Sequence, residues 1–353
     1  MNPRALHVVL VACLALTFGC SNLTPPDPPE APAFWSPLWI AQGDFVELLH
    51  DQGALYAVDR KKGIFVQRPA FAGPWVRLGP DLGDVDDPFG THGVRTLARS
   101  GDLLVAGLSL PATDERPCLY QRRTGDKDWK VSPFPAVSPV LDLASTGPGV
   151  VFGLDRAGVF FTKDGGQNWT RSSDPDLVLK QGTLARGTDG IYCGGQAWAG
   201  QPRLFRSRDE GATWTPIPLG LAVGVVQGNV FSVATGGSGA PSELFTNVNG
   251  EIYRSADGGQ SFRAILEVLR VPGTIFVNPD DAREVLIASE QVFWTRDAGN
   301  SWDIFTLPRG IHAGLAAVDW EHRRVAVQLG DVTVEALYEL NLDLASIATS
   351  PAP

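Results

Sequence analysis

Charge is scarce in this chain of 353 residues: 19% is Asp, Glu, Lys or Arg, against about 25% in an average soluble domain. Methionine occurs once and tyrosine five times. The charge that is present leans negative, −10 overall. No basic stripe exists to neutralise phosphates, so a nucleic-acid partner is disfavoured. Several chemical motifs are missing as well. There is no Cys-x-x-Cys and no His-Glu-x-x-His, so a zinc site has no basis. There is no Gly-x-Ser-x-Gly nucleophile elbow. The run Gly236-Gly237-Ser238-Gly239 lacks the Gly-Lys-Ser/Thr that completes a phosphate-cradling loop. Glycine (39), proline (27) and tryptophan (10) are plentiful instead. That balance suits an all-β chain with many turns.

Residues 1–19 read as a signal peptide. Arg4 precedes an apolar run, Leu6 to Phe18, broken only by His7 and Thr17. The run is too short to be a permanent transmembrane helix. It ends at Gly19-Cys20 and resembles a bacterial lipoprotein signal, which implies lipidation of Cys20. Thr17 and Phe18 depart from the Leu and the small residue usual in such signals. Thr17 and Gly19 also satisfy an ordinary signal peptidase, which would leave Cys20 a free thiol. Residues 20–33 then form a tether, with five prolines between Thr24 and Pro32 that forbid helix. An acylated Cys20 would hold the protein outside the cytoplasm at a membrane, in the periplasm or on the cell surface.

One pattern dominates the body: Ser/Thr-x-Asp-x-Gly-x-x-Trp/Phe. It occurs as Thr162, Asp164, Gly166, Trp169, then as Ser207, Asp209, Gly211, Trp214. It returns as Ser255, Asp257, Gly259, Phe262 and as Thr295, Asp297, Gly299, Trp302. The aromatic positions are 45, 48 and 40 residues apart. The hydroxyl and the carboxylate suit a hairpin turn whose N–H groups they accept from. The glycine suits a positive φ, and the aromatic opens the next strand and packs between sheets. The period leaves room for two more strands, and four strands per repeat is the size of a propeller blade.

These residues resemble the Asp-box, or BNR-repeat, family, which includes sialidases, sorting receptors and photosystem assembly factors. The resemblance covers about residues 34–342 and implies a β-propeller. In that family the box is structural and lies away from the active site, so the resemblance implies fold rather than activity.

Turn signals divide the body into blade-like units. They run Phe45 to Leu78, Gly93 to Phe134, Val140 to Arg171, Gly182 to Ile217, Gly228 to Leu266 and Thr274 to Leu307. The second has a degenerate box, with Arg122 and Thr124 in place of the hydroxyl and the Asp, but keeps Trp129. The seventh unit has only three strands before Leu342. The segment Phe34 to Ile40 has the character of an outer strand, and would complete that unit and remove two open edges. The expectation is a single all-β, seven-bladed, monomeric propeller of four-stranded antiparallel blades, with 343–353 as a tail; six or eight blades are the alternatives. Cys118 and Cys193 fall in non-adjacent blades and are expected as buried free thiols.

Candidate binding residues lie on the face that carries the blade-to-blade connections. The connection 79–93 holds Asp81, Asp84, Asp86, Asp87 and His92. It reads as a solvated acidic loop or as a Ca²⁺ site, and Asp86 and Asp87 as a possible acid/base pair. Arg309 and His312 flank the entry to the last blade. Trp198 sits in a loop of the fourth blade, where it would stack on a sugar, anchor a protein or pack between blades. Resemblance to sialidases would imply three arginines, a Tyr–Glu pair, an acid/base Asp and an Arg-Ile-Pro motif. That motif is absent, and only Arg95 and Arg186 stand on inner strands. The expected function is a non-catalytic platform for a protein or glycan at the cell envelope. Sialidase-like glycoside hydrolysis and assembly of a membrane complex are the alternatives.

Overall fold

In a computed structural model, each box closes its hairpin with the same two bonds of its hydroxyl, one donated to the Asp and one accepted from the Gly N–H. Thr162 donates its hydroxyl to Asp164 at 2.8 Å and accepts the Gly166 N–H at 3.0 Å. Asp164 Oδ1 then accepts the N–H groups of Gln167 and Asn168 at 3.0 and 2.9 Å. The hydroxyl-to-Asp bond recurs at 2.8, 2.7 and 2.7 Å in the boxes of Ser207, Ser255 and Thr295. All four box glycines have φ between 81° and 90°, the region that only glycine occupies without strain.

Residues 34–349 are described, except 39, 41–43, 61, 79–92, 110–117, 136–137, 221–226, 238–242, 268–272, 308–311 and 331–334. They form seven four-stranded antiparallel sheets. The short strand β1 (Trp35–Pro37) comes first among the described residues. Blade one follows as β2 (Phe45–Asp51), β3 (Ala54–Asp59), β4 (Gly63–Gln67) and β5 (Trp75–Arg77). Blade two is β6 (Val94–Ser100), β7 (Leu103–Leu108), β8 (Leu119–Arg123) and β9 (Lys130–Val131). Blade three is β10 (Asp142–Gly147), β11 (Val150–Asp155), β12 (Gly158–Thr162) and β13 (Thr170–Arg171). Blade four is β14 (Leu179–Gly187), β15 (Gly190–Ala197), β16 (Pro202–Ser207) and β17 (Thr215–Pro216). Blade five is β18 (Val230–Gly236), β19 (Glu243–Val248), β20 (Glu251–Ser255) and β21 (Arg263–Leu266). Blade six is β22 (Thr274–Val277), β23 (Val285–Ala288), β24 (Val292–Thr295) and β25 (Asp303–Phe305).

The last blade contains β26 (His312–Asp319), β27 (Arg324–Gly330) and β28 (Glu335–Asn341). Its outer strand is β1, with Trp35 opposite Leu340 and Pro37 opposite Tyr338. Both ends of the body therefore meet in one sheet, as the aromatic segment 34–40 suggested. The inner strands β2, β6, β10, β14, β18, β22 and β26 pack in succession, and β26 returns to β2.

Aromatic residues stitch neighbouring blades together. Trp169 Nε1–H donates to Ser132 of blade two at 2.9 Å. Trp302 donates to the Ile265 carbonyl of blade five at 3.2 Å. Trp129, beside the degenerate box, donates to the Leu78 carbonyl of blade one at 2.9 Å. Trp35 on β1 donates to the Thr306 carbonyl of blade six at 3.2 Å. A buried indole satisfies its one donor while its ring fills the gap between sheets. The sequence has a tail after Asn341; its first residues form helix α1 (Leu342–Thr349). Asn341 caps that helix, accepting from the N–H groups of Asp343 and Leu344 at 3.1 Å each. Leu342 and Ala345 are buried in the cluster between blades six and seven.

Candidate functional site

The two ends of the central channel differ in the residues that reach them. Inner strands β2, β6, β14 and β18 each shift register near their start, between Phe45 and Glu47, Val94 and Thr96, Leu179 and Gln181, and Val230 and Ser232. A bulge re-aims the extra residue. Arg95, Lys180 and Phe231, at these positions, are exposed. They lie at the mouth that carries the blade-to-blade connections, called here the interblade mouth.

Beneath that mouth is a cavity of about 540 Å³ whose lining includes Glu47, Arg60, Arg95, Thr96 and Asp142. Its carboxylates link blades. Glu47 of blade one accepts the Leu97 N–H of blade two at 2.6 Å. Asp142 of blade three accepts the Leu184 N–H and the Thr183 hydroxyl of blade four at 2.7 and 3.0 Å. Ser232 of blade five accepts the Ile275 N–H of blade six at 3.1 Å, in the same manner. Burial, and then the negative charge of Asp142, push Glu47 from 4.5 up to about 8. Burial also raises Asp142, against the N–H donors of Leu184 and Leu143 that favour its charged form. Burial lowers Arg95, and Arg156 and Arg60 add to that lowering against the attraction of Asp142. Sequence reading missed Glu47 and Asp142. The available signal was a polar residue followed by an aliphatic one in successive inner strands: Glu47-Leu48, Thr96-Leu97, Asp142-Leu143, Thr183-Leu184, Ser232-Val233.

Trp198 stands on the same face, in the loop between β15 and β16, and its side chain is 59% exposed. Packing between blades is therefore not its role. The loop is braced against the connection into blade five. Gly228 N–H donates to the Gly200 carbonyl at 2.7 Å, and Gln196 reaches the Gly228 carbonyl at 3.1 Å. Two residues beyond that connection, β18 begins, and its Phe231 is 42% exposed. Sequence reading missed this aromatic because Val230-Phe231 resembles an ordinary buried pair until the bulge is seen.

Of the other sequence candidates, Cys20, Asp84, Asp86, Asp87, His92 and Arg309 lie outside the described residues. His312 opens β26 on the interblade side. Among the described residues no group of three or more His, Cys, Asp or Glu is arranged to hold a metal. Arg95 and Arg186 do not form one clamp: Arg95 lines the interblade cavity, and Arg186 lines a separate one at the opposite mouth. Cys118 and Cys193 are unpaired; Cys193 is buried, but Cys118 is only half-buried. Burial raises both thiols, Cys118 to about 11.

A family model described as photosynthesis system II assembly factor YCF48 matches residues 121–278, from the third strand of blade two to the first strand of blade six. No curated protein matches the chain significantly in sequence. Among solved structures, YCF48 bound to D1 peptide is 14% identical with a TM-score of 0.62, over 87% of this chain and 96% of that one. YCF48 from Cyanidioschyzon merolae is 13% identical with a TM-score of 0.63, over 88% and 99%. The GH74 xyloglucanase from Xanthomonas campestris is 16% identical with a TM-score of 0.66, over 90% of this chain but only 54% of that one. At such identities the likeness is one of fold. The four boxes and the seven sheets, by themselves, make this chain a seven-bladed β-propeller with Asp-box, or BNR-type, hairpins.

Proposed function

We propose that the protein is a non-catalytic platform that holds a protein segment on its interblade face, at a membrane to which Cys20 anchors it. The observation that carries this reading is Trp198: a large aromatic, 59% exposed, on a loop braced to the connection that leads into the strand presenting Phe231. Rigid aromatic anchors of this kind supply most of the energy in small interfaces. The partial match to the YCF48 model and the likeness to a propeller that binds a D1 peptide support a protein occupant over a glycan. They also favour assembly of a membrane complex as the context. The test is an affinity pull-down from membranes with the wild-type, Cys20→Ala and Trp198→Ala proteins. Trp198→Ala is expected to weaken capture at least tenfold, at the scale of about 2 kcal/mol for an anchoring aromatic. Capture unchanged by Trp198→Ala would sink the docking face. Capture unchanged by Cys20→Ala would remove the anchor from the reading.

One observation favours a second reading, glycoside hydrolysis. Glu47 holds its proton to about 8 and shares a cavity with Asp142, as an acid/base pair requires. Against it, both carboxylates are engaged by backbone N–H groups of the next blade. Turnover of xyloglucan or a sialoside that Glu47→Gln abolishes would favour the enzyme.

A further inference from the structure

The opposite mouth, on the side of the box turns, holds a larger cavity, about 720 Å³. It is bounded by Thr146 of blade three, the β14–β15 turn and the box turn of blade four, the end of β18, and Pro279 of blade six. We propose that this cavity binds a small anionic molecule through its carboxylate or phosphate oxygens, with Arg186 and Arg208 as the groups that hold it.

Three observations converge on an anion. The Arg186 side chain is exposed at the end of its inner strand, and its guanidinium has no hydrogen bond or ion pair among the described residues. Its backbone is fixed, because the Arg186 carbonyl accepts the Thr235 hydroxyl from blade five. Arg208 is weakly held: it reaches Asp189 at 3.8 Å. Asp189 already accepts the Tyr192 hydroxyl at 2.6 Å and Arg206 at 3.3 Å. Two guanidiniums with free donor edges therefore line one concave space.

The local charge has the same sign. Of the charged residues that line the cavity, Arg186 and Arg208 stand against Glu210, so two positive groups less one negative leave a balance of +1. The whole chain is at −10. Glu210, the one carboxylate lining the cavity, is neutralised by Lys163 at 2.7 Å. The nearby Arg254–Glu243 pair, closed at 2.6 Å, adds no net charge. A cavity of a few hundred cubic ångströms with a few convergent polar groups is the usual form of a small-molecule site. Planar guanidinium forks suit oxyanions better than any other side chain does. The site is independent of the interblade docking face, at the other end of the channel.

The test is isothermal titration of the full chain at low ionic strength with two probes: citrate for the carboxylate arm and glucose 6-phosphate for the phosphate arm. Glucose is the neutral control. Saturable binding of at least one anion is expected, with none of glucose. Arg186→Ala and Arg208→Ala should each weaken it about tenfold, the scale of one charge-assisted contact. Lys180→Ala, in the same blade but at the interblade mouth, should leave it unchanged. Both arginines are exposed, so thermal melts matching wild type will show that the variants are folded. Absence of saturable binding for both anions, or binding that neither arginine substitution weakens, would overturn the proposal.

Discussion

At the scale of single residues, the box glycines carry two constraints at once. Gly211 has a φ of 89°, and a Cβ there would stand 2.7 Å from the ring of Phe152 and 3.0 Å from that of Phe161, both in blade three. Gly259 and Gly299 meet Ile217 and Ile265 of their preceding blades in the same way. Gly211→Ala should therefore destabilise by about 2–4 kcal/mol, from backbone strain and overpacking together. Urea denaturation measures it; a loss below the experimental error would refute the double constraint.

Glu47 gives a pH-dependent expectation. Its carboxyl is raised in the folded protein, from 4.5 to about 8, so the folded state binds the extra proton. Its contribution to stability is complete below pH 4.5 and disappears as pH rises through about 8. Stability should thus fall with pH across that window, and Glu47→Gln should flatten this part of the profile. Melting temperatures of both proteins from pH 5 to 9 decide it, and parallel slopes would exclude Glu47 as the source. The thiols offer a third check. Burial suppresses the thiolate, which is the reactive form. Peptide-mapped alkylation at pH 8 should leave Cys193 unlabelled and Cys118 slow until denaturant is added.

At the scale of the element, the box hairpin is stabilised by its hydroxyl more than by its carboxylate. The Ser207 side chain is buried and accepts the buried Gly211 N–H at 2.8 Å. Asp209 is drawn down to about 2 by the Thr213 hydroxyl and N–H, but it lies at the surface, where water competes. Ser207→Ala leaves a buried donor without its acceptor and should cost about 1–3 kcal/mol. Asp209→Ala should cost less. The reverse order in denaturant titrations would show that the carboxylate dominates. Blade two manages without a true box: Asp126 accepts the Arg123 N–H at 3.4 Å and pairs with Lys130 at 3.2 Å. The element tolerates loss of the motif when the indole of Trp129 still ties the blade to its neighbour.

At the scale of the whole molecule, closure depends on three residues of β1. Trp35 is buried among residues of blades six and seven. Trp35→Ala should cost about 3–5 kcal/mol, as large-to-small core substitutions do. Deleting residues 1–37 uncovers the outer edge of β28 as well, and open edges pair with other chains. Concentration-dependent association in sedimentation is the expected outcome; a monomer with unchanged melting would mean that closure does not rest on β1. A second device sits at the same seam. Glu284 of blade six accepts the Trp294 indole N–H at 3.1 Å and pairs with Arg323 of blade seven at 2.9 Å.

Repeats and blade count were legible in the chain because they are local. A turn needs its hydroxyl, carboxylate and glycine at set spacings, and the spacing survives in the letters from Thr162 to Trp302. The aromatic run at 34–40 similarly announced a strand without a sheet, and Trp129 marked the degenerate repeat. Sites were much less legible, because they are assembled across blades. Glu47 and Asp142 lie 95 residues apart and meet only through the curvature of the ring. Phe231 looks like a core residue until a bulge turns it outward. Arg95 and Arg186 both stand on inner strands, of blades two and four, but Arg95 is second in β6 and Arg186 second from last in β14, so they reach opposite mouths. Local hydrogen bonding and steric rules wrote the architecture into the sequence. Which side chains share a cavity depended on long-range packing, which no short stretch of residues encodes.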